Sequence, residues 1–172
     1  MKTFFKIFAI TISFVALITA CETVSPQTGF NCKLISNSEC KNGLTMVVES
    51  ETSDTLSCVE YEYETSTKTL HLNHINAGFN CCPVHILLSA KLSNDTLIVR
   101  ETERSSLCNC NCLFDLEIDI SSVEAGKYYL TFDEPYIGTQ EKLFVRLDLS
   151  KEKEGSFCVT RKRSPWGISL IN

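Results

Sequence analysis

The sequence predicts an all-β chain folded as an antiparallel β-sandwich. Three observations predict it. Apolar and polar residues alternate in short runs rich in Val, Ile, Thr, Tyr and Phe, the period-two pattern of half-buried strands. Turn residues break these runs at spacings of about ten residues, as in sandwiches and barrels. Helical periodicity is absent beyond the N-terminal segment.

That segment, residues 1–20, reads as a removable export signal rather than part of the fold. Lys2 and Lys6 supply its positive charge, and "IFAITISFVALI" is an apolar stretch too short for a good transmembrane helix. It ends in "ITAC", Ile18 to Cys21. Small residues before a cysteine at this place resemble a bacterial lipobox. The resemblance implies cleavage before Cys21, acylation of its thiol with palmitate-like chains, and acylation of the new amine. Each buried CH₂ contributes roughly 0.8 kcal/mol, so two or three chains anchor a protein durably. By analogy with lipoprotein sorting, Glu22 rather than Asp after the cysteine points to the outer membrane instead of the inner one.

Residues 21–42 read as a lipidated tether with a cysteine-containing loop, beginning with the polar "ETVSPQTGF". The sandwich is expected over residues 43–167, followed by a short tail, 168–172. The strand candidates are, in order, "LTMVVES", "SCVEYEYET", "TLHLNHI", "VHILLSAKL", "TLIVRETE", "CNCNCLFDLEIDI", "KYYLTFD", "EKLFVRLDL" and "SFCVTRKR". Val59, Tyr61 and Tyr63 share a face, as do Leu70 and Leu72. Val84, Ile86, Leu88, Ala90 and Leu92 form a third apolar row. The turn "SND" joins the fourth and fifth candidates.

In "VEAGKYYL", an apolar residue and Gly126 precede Tyr128 at the start of a strand. This resembles the tyrosine corner of immunoglobulin-like and fibronectin-like sandwiches, whose phenol bonds to backbone a few residues upstream. The proline usual before the glycine is Ala125 here, so the match is partial.

Ten cysteines are many for 172 residues. With Cys21 assigned to lipid, nine are left: Cys32, Cys40, Cys58, Cys81, Cys82, Cys108, Cys110, Cys112 and Cys158. Beyond the inner membrane, disulfides are the default state. An odd number leaves at least one thiol outside the bridges. If "CNCNCLFDLEIDI" is one strand, Cys108, Cys110 and Cys112 all face the core with Phe114, Leu116, Ile118 and Ile120. Residues i and i+2 on a strand lie roughly 6.6–6.8 Å apart, at the edge of disulfide reach, so each is expected to meet a cysteine on another strand. Cys81 and Cys82 of "NCCP" are the expected partners for one or two of them. A vicinal bridge between those two is disfavoured by strain. Cys32 and Cys40, eight apart in a polar stretch, suggest a local staple, which leaves Cys58 and Cys158 as possible partners.

A metal reading competes. "HLNHINAGFNCCPVH" gathers His71, His74, Cys81, Cys82 and His85, and Cys108, Cys110 and Cys112 follow. Zinc or copper(I) uses such ligands. The spacing lacks the paired C-x₂-C and H-x₃₋₅-H signatures of structural zinc modules, and His71 and His85 fall on outward faces. Disulfides are therefore preferred, and no cofactor is expected.

Catalytic signatures are missing: there is no G-x-S-x-G, no H-E-x-x-H, and no C-x-x-C at a helix start. Asp115, Glu117 and Asp119 alternate on one strand face, the pattern of a solvated surface. Removing the leader, with two lysines and no acids, takes the formal charge from −5 to −7. Such a chain is a poor partner for nucleic acid or anionic headgroups. "RKR", Arg161 to Arg163, reads as a solvated strand edge, and Trp166 of "SPWG" as a tail residue packed over a sheet edge.

Together, "HINAGFNCCP", "CNCNCLFDLEIDI", "YYLTFDEPY" and "SPWG" resemble a group of small cysteine-rich bacterial lipoproteins, over roughly residues 56–167. The resemblance implies no particular activity. The sequence thus points to a lipid-anchored envelope protein with a disulfide-stapled sandwich and a non-enzymatic binding or structural role. Its partners would be the membrane, through the lipid, and an envelope protein or glycan. The alternative is a soft-metal binding lipoprotein.

Overall fold

Alternating side chains build nine strands in the computed structural model, which describes residues 30–41, 52–106 and 108–167, with only the backbone of Ser105 and Ser106. The export signal, Cys21, the first part of the tether, "LTMVVES" and the tail 168–172 lie outside the described residues. In chain order the strands are β1 (Asn31–Asn37), β2 (Leu56–Glu64), β3 (Thr69–Asn80), β4 (Pro83–Ser93), β5 (Thr96–Ser106), β6 (Asn111–Ser121), β7 (Lys127–Asp133), β8 (Phe144–Asp148) and β9 (Glu154–Thr160). No helix occurs among the described residues.

The strands form a five-stranded sheet, β1-β6-β3-β2-β9, and a four-stranded sheet, β4-β5-β7-β8. The apolar rows meet in one core. Val59, Tyr61 and Tyr63 of β2 and Leu70 and Leu72 of β3 join Leu116, Ile118 and Ile120 of β6 from one side. Leu97 and Val99 of β5, Leu130 and Phe132 of β7 and Leu147 of β8 come from the other. Burying each such side chain contributes roughly 1.5–3 kcal/mol relative to exposure.

Pairing is antiparallel except between β5 and β7, which run parallel. This corrects the wholly antiparallel expectation. The chain leaves β5 for β6 in the other sheet and returns to β7, so it re-enters the first sheet in the same direction.

A second correction is β1. The stretch around Cys32 was expected to be tether, with the sandwich starting at residue 43. Instead Asn31–Asn37 pairs with β6, Cys32 opposite Ile120 and Leu34 opposite Ile118. β1 is an edge strand with a solvated outer face, so only Cys32 and Leu34 show the inward alternation, too little for a clear pattern. Val84, expected inward, is exposed, because β4 begins at the cysteine turn, ahead of the packed part of the core.

The "SPWG" segment and the sheet fit closely. Trp166 is buried, and its Nε1 donates to the Asn76 carbonyl at 2.7 Å. A Cβ on Gly78 would lie 2.8 Å from Pro165 Cγ and 2.9 Å from the Trp166 ring. Only glycine lets "SPWG" lie against β3. Arg161 stacks on the same indole, 4.8 Å from its centre.

Candidate functional site

The cysteines pair within four disulfides: Cys40–Cys112, Cys58–Cys158, Cys81–Cys110 and Cys82–Cys108, with Cα separations of 5.7, 4.0, 5.6 and 5.6 Å. Among the described residues Cys32 is the free thiol. The expected link between Cys81–Cys82 and "CNCNC" is present twice, and Cys58 meets Cys158 directly across β2 and β9. The Cys32–Cys40 staple is overturned. Strand β1 holds Cys32 against β6, and residues 38–41 run on beside β6, where Lys41 N donates to Leu113 O at 2.9 Å. That path brings Cys40 to Cys112.

The expectation that three thiols share one inward strand face is also corrected. Strand β6 starts at Asn111, so only Cys112 lies in it, and Cys112 is fully buried. Cys108 and Cys110 sit in the preceding loop. The cause is local. Asn80 Nδ2 donates to the carbonyls of Cys108 at 2.6 Å and Cys110 at 2.9 Å, and Asn80 Oδ1 accepts from Cys82 N at 2.9 Å. A side chain thus supplies the partners that a strand ladder would otherwise give, and the loop curls over the β3–β4 turn. Glu103 supports Asn80: its Oε2 accepts from Asn80 N at 2.8 Å and its Oε1 from Tyr136 Oη at 2.6 Å. Burial and the Glu103 carboxylate push the Tyr136 hydroxyl up to about 12, so it stays a donor at neutral pH.

The three histidines do not converge with the thiols. His71 is on the outer face of the five-stranded sheet, 2.6 Å from Asp119. His85 is exposed on β4. His74 points into the core. No group of three or more His, Cys, Asp or Glu arranged for a metal ion occurs among the described residues.

A buried polar cluster went unnoticed in the sequence. Ser57, His74, Glu101, Glu134 and Arg161 are each at most 4 % exposed. His74 Nδ1 lies 2.7 Å from Glu101 Oε1, and its Nε2 lies 3.0 Å from Ser57 Oγ and 3.9 Å from Glu134 Oε1. Arg161 Nη2 donates to both Glu134 oxygens, at 2.8 and 2.6 Å. Arg161 Nη1 donates to the Glu141 carbonyl. With two carboxylates and one guanidinium, the cluster is neutral only when His74 carries a proton. Burial pushes the imidazole down, but Glu101 and then Glu134 outweigh it, and the net direction is up. Burial likewise raises Glu134, opposed by His74 and Arg161.

Serine, histidine and carboxylate here stand in the hydrogen-bond order of a nucleophile relay. The hydroxyl and the imidazole are both at 0 % exposure, so no substrate carbonyl can reach Ser57. "RKR" is corrected at its first residue: Arg161 is a core residue, whereas Arg163 is exposed.

Each member of the cluster continues an inward row. Ser57 precedes Val59 and Tyr61, His74 follows Leu70 and Leu72, and Glu101 follows Leu97 and Val99. Glu134 follows Leu130 and Phe132, and Arg161 follows Phe157 and Val159. That phase was the available signal.

The outer face of the five-stranded sheet carries Glu60, Glu62, Glu117, Asp119 and Glu154 around a shallow groove of about 690 Å³. Asp119 is engaged by His71 and Glu117 by Ser36 Oγ at 2.8 Å. Asp115 holds Lys41 at 2.5 Å. The Asp115–Glu117–Asp119 row is therefore a hydrogen-bonded solvated surface.

Tyr128 Oη donates to the Glu124 carbonyl at 2.9 Å, and Tyr63 Oη donates to the Val123 carbonyl at 2.7 Å. A Cβ on Gly126 would lie 3.6 Å from the Tyr128 ring. No family model matches the chain, and no curated protein or solved structure is similar enough to count as a match.

Proposed function

We propose that the chain is a lipid-anchored protein of the bacterial cell envelope, held at Cys21, whose stapled sandwich is a non-enzymatic binding or structural module. The observation that carries this reading is the pairing of eight cysteines in four bridges. Such a set persists in an oxidising compartment and is out of place in a reducing one. Two of the bridges tie the β3–β4 turn to the β5–β6 loop. Both connections cross between the sheets, so the bridges fix how the sheets meet. The surface offered to a partner is the acidic outer face of the five-stranded sheet, which suits a cationic or hydroxyl-rich envelope component. The outer membrane is the expected site, from Glu22 beside the lipidated cysteine.

The same reading takes the sandwich as immunoglobulin-like. Its support is the two-sheet packing and the Tyr128 hydroxyl bonded four residues upstream, the hydrogen bond of a tyrosine corner.

Metabolic labelling with palmitate tests the anchor. The chain should take up label and fractionate with membranes, and Cys21→Ser should lose both. Unlabelled, soluble wild-type protein would sink the reading.

A further inference from the structure

We propose that Cys81, Cys82, Cys108 and Cys110 form a redox-gated site for a thiophilic d¹⁰ cation. Bridged, the four sulfurs are a structural knot; reduced, they hold one zinc ion. The proposal is independent of the lipid anchor and of any partner on the acidic face.

The first support is convergence. Two adjacent cysteines in the β3–β4 turn face two cysteines spaced i, i+2 in the β5–β6 loop, with Cα atoms 5.6 Å apart across each bridge, Cys81–Cys110 and Cys82–Cys108. Four sulfurs from two short segments therefore meet at one end of the sandwich. Tetrahedral zinc needs four donors at about 2.3 Å, and thiolate donors select zinc or copper(I) over hard cations.

The second support is a scaffold that does not depend on the bridges. Asn80, 4 % exposed, clamps both segments through three hydrogen bonds of its side chain. Cys81 N donates to Cys110 O at 3.0 Å. Glu103 accepts from Asn80 N and is itself held by Tyr136 Oη. Opening the bridges leaves these contacts in place, so the thiols stay gathered.

The third support is accessibility. Cys110 is exposed and Cys81, Cys82 and Cys108 are half-buried. Cys112 of the Cys40–Cys112 bridge is fully buried, whereas Cys158 of the Cys58–Cys158 bridge is exposed. A reductant therefore reaches the knot, and the Cys58–Cys158 bridge with it, before Cys40–Cys112.

The chemistry balances with a dithiol as the reductant. Each bridge takes two electrons and two protons, and each dithiol becomes its own disulfide. Two bridges thus give four thiols. Zinc(II) then displaces up to four protons as the thiols bind as thiolates. Compared with the eight His and Cys candidates read from the sequence, the set loses all three imidazoles and Cys112.

The test uses the mature exported chain. It is treated under argon with a phosphine, which reduces each disulfide while taking one oxygen atom from water, and is then desalted. Zinc uptake is measured by competition with a chromogenic chelator, and cobalt(II) serves as a spectroscopic probe of sulfur ligation. Reduced wild type should bind one zinc per chain with thiolate-to-cobalt charge transfer, and the oxidised chain none. Asn80→Ala should weaken zinc binding roughly 10–100-fold. Cys81→Ser/Cys110→Ser should abolish it, while Cys58→Ser/Cys158→Ser should keep it. Sheet content is followed by circular dichroism throughout. No zinc uptake by a folded reduced chain overturns the proposal. So does unfolding on reduction of the two knot bridges, or uptake that survives the Cys81/Cys110 variant.

Discussion

His74 and Glu101, facing each other from opposite sheets, form a fully enclosed pair with Nδ1 and Oε1 2.7 Å apart. Around them stand Ser57 from β2, Glu134 after β7 and Arg161 after β9. Cys32 of β1 is close enough for Glu101 to help raise its thiol. A second carboxylate and one guanidinium leave a single negative charge to balance, and the His74 proton balances it. The fold is thereby tied to the protonation of one buried imidazole.

This gives the chain a pH dependence of definite sign. The folded value of His74 lies above the ordinary 6.5, so the folded state holds this proton more tightly than the unfolded chain. Its contribution is complete below about pH 6.5 and is lost as pH rises through the folded value. Glu134, also raised, acts in the same direction. Urea unfolding with the bridges intact should show stability falling as pH rises above about 6.5, with a slope of at most about 1.4 kcal/mol per pH unit for one proton. In His74→Gln the slope should flatten. A wild-type profile that is level or rises over this window would contradict the charge balance.

Arg161 and Glu134 supply the other half of the cluster. Both side chains are at 0 % exposure and the contact is bidentate. Removing one partner strands a buried charge, at about 3–5 kcal/mol. Glu134→Gln and Arg161→Met should each lose on this order in denaturant unfolding. The double variant should lose clearly less than the sum, since it buries neither charge. Additive losses would mean that the pair is not coupled.

How much of this was readable in the sequence depends on how strongly each side chain obeys its strand's period. The inward rows of β2, β3 and β6 were legible because apolar residues recur at every second position. Strand β1 was not, because an edge strand buries only Cys32 and Leu34. The parallel β5–β7 pair was not, because register along a strand says nothing about which sheet the next strand joins. The curl at Cys108 and Cys110 depends on one amide, Asn80, lying far away in sequence. The buried cluster could have been found: charges at Glu101, Glu134 and Arg161 sit one step beyond apolar pairs in the inward phase. A charge beside a strand end, as at Glu134 and Arg161, or within a charged run such as "RETER", as at Glu101, ordinarily signals solvent and masks that phase.

Tyr63 and Tyr128 both bond the loop before β7, at Val123 and Glu124, but they differ in burial. Tyr63 and Val123 are buried, whereas the Tyr128 bond lies at the surface. Losing a buried partner leaves the Val123 carbonyl without water, costing about 1–3 kcal/mol, while a solvated bond is worth about 0.5–1 kcal/mol. Thermal melts should therefore rank Tyr63→Phe as the more damaging substitution. If Tyr128→Phe proved the worse of the two, the surface bond would be the main pin of this corner.

Among the described residues Cys32 is the thiol that the pairing leaves over, and its setting predicts how it reacts. It packs against the core from β1, and burial, then the Glu101 charge, push it up to about 11. The thiolate is the reactive form, so at pH 8 very little of it is present in the folded chain. Maleimide or iodoacetamide should modify native protein slowly. In a Cys21→Ser chain one equivalent should react promptly after unfolding in denaturant without reductant, and peptide mapping should place it on Cys32. Cys32→Ala should remove that equivalent while the four bridged pairs persist. Rapid native labelling, or a label that maps to Cys112 instead of Cys32, would show that the strand register holding Cys32 away from Cys40 is wrong.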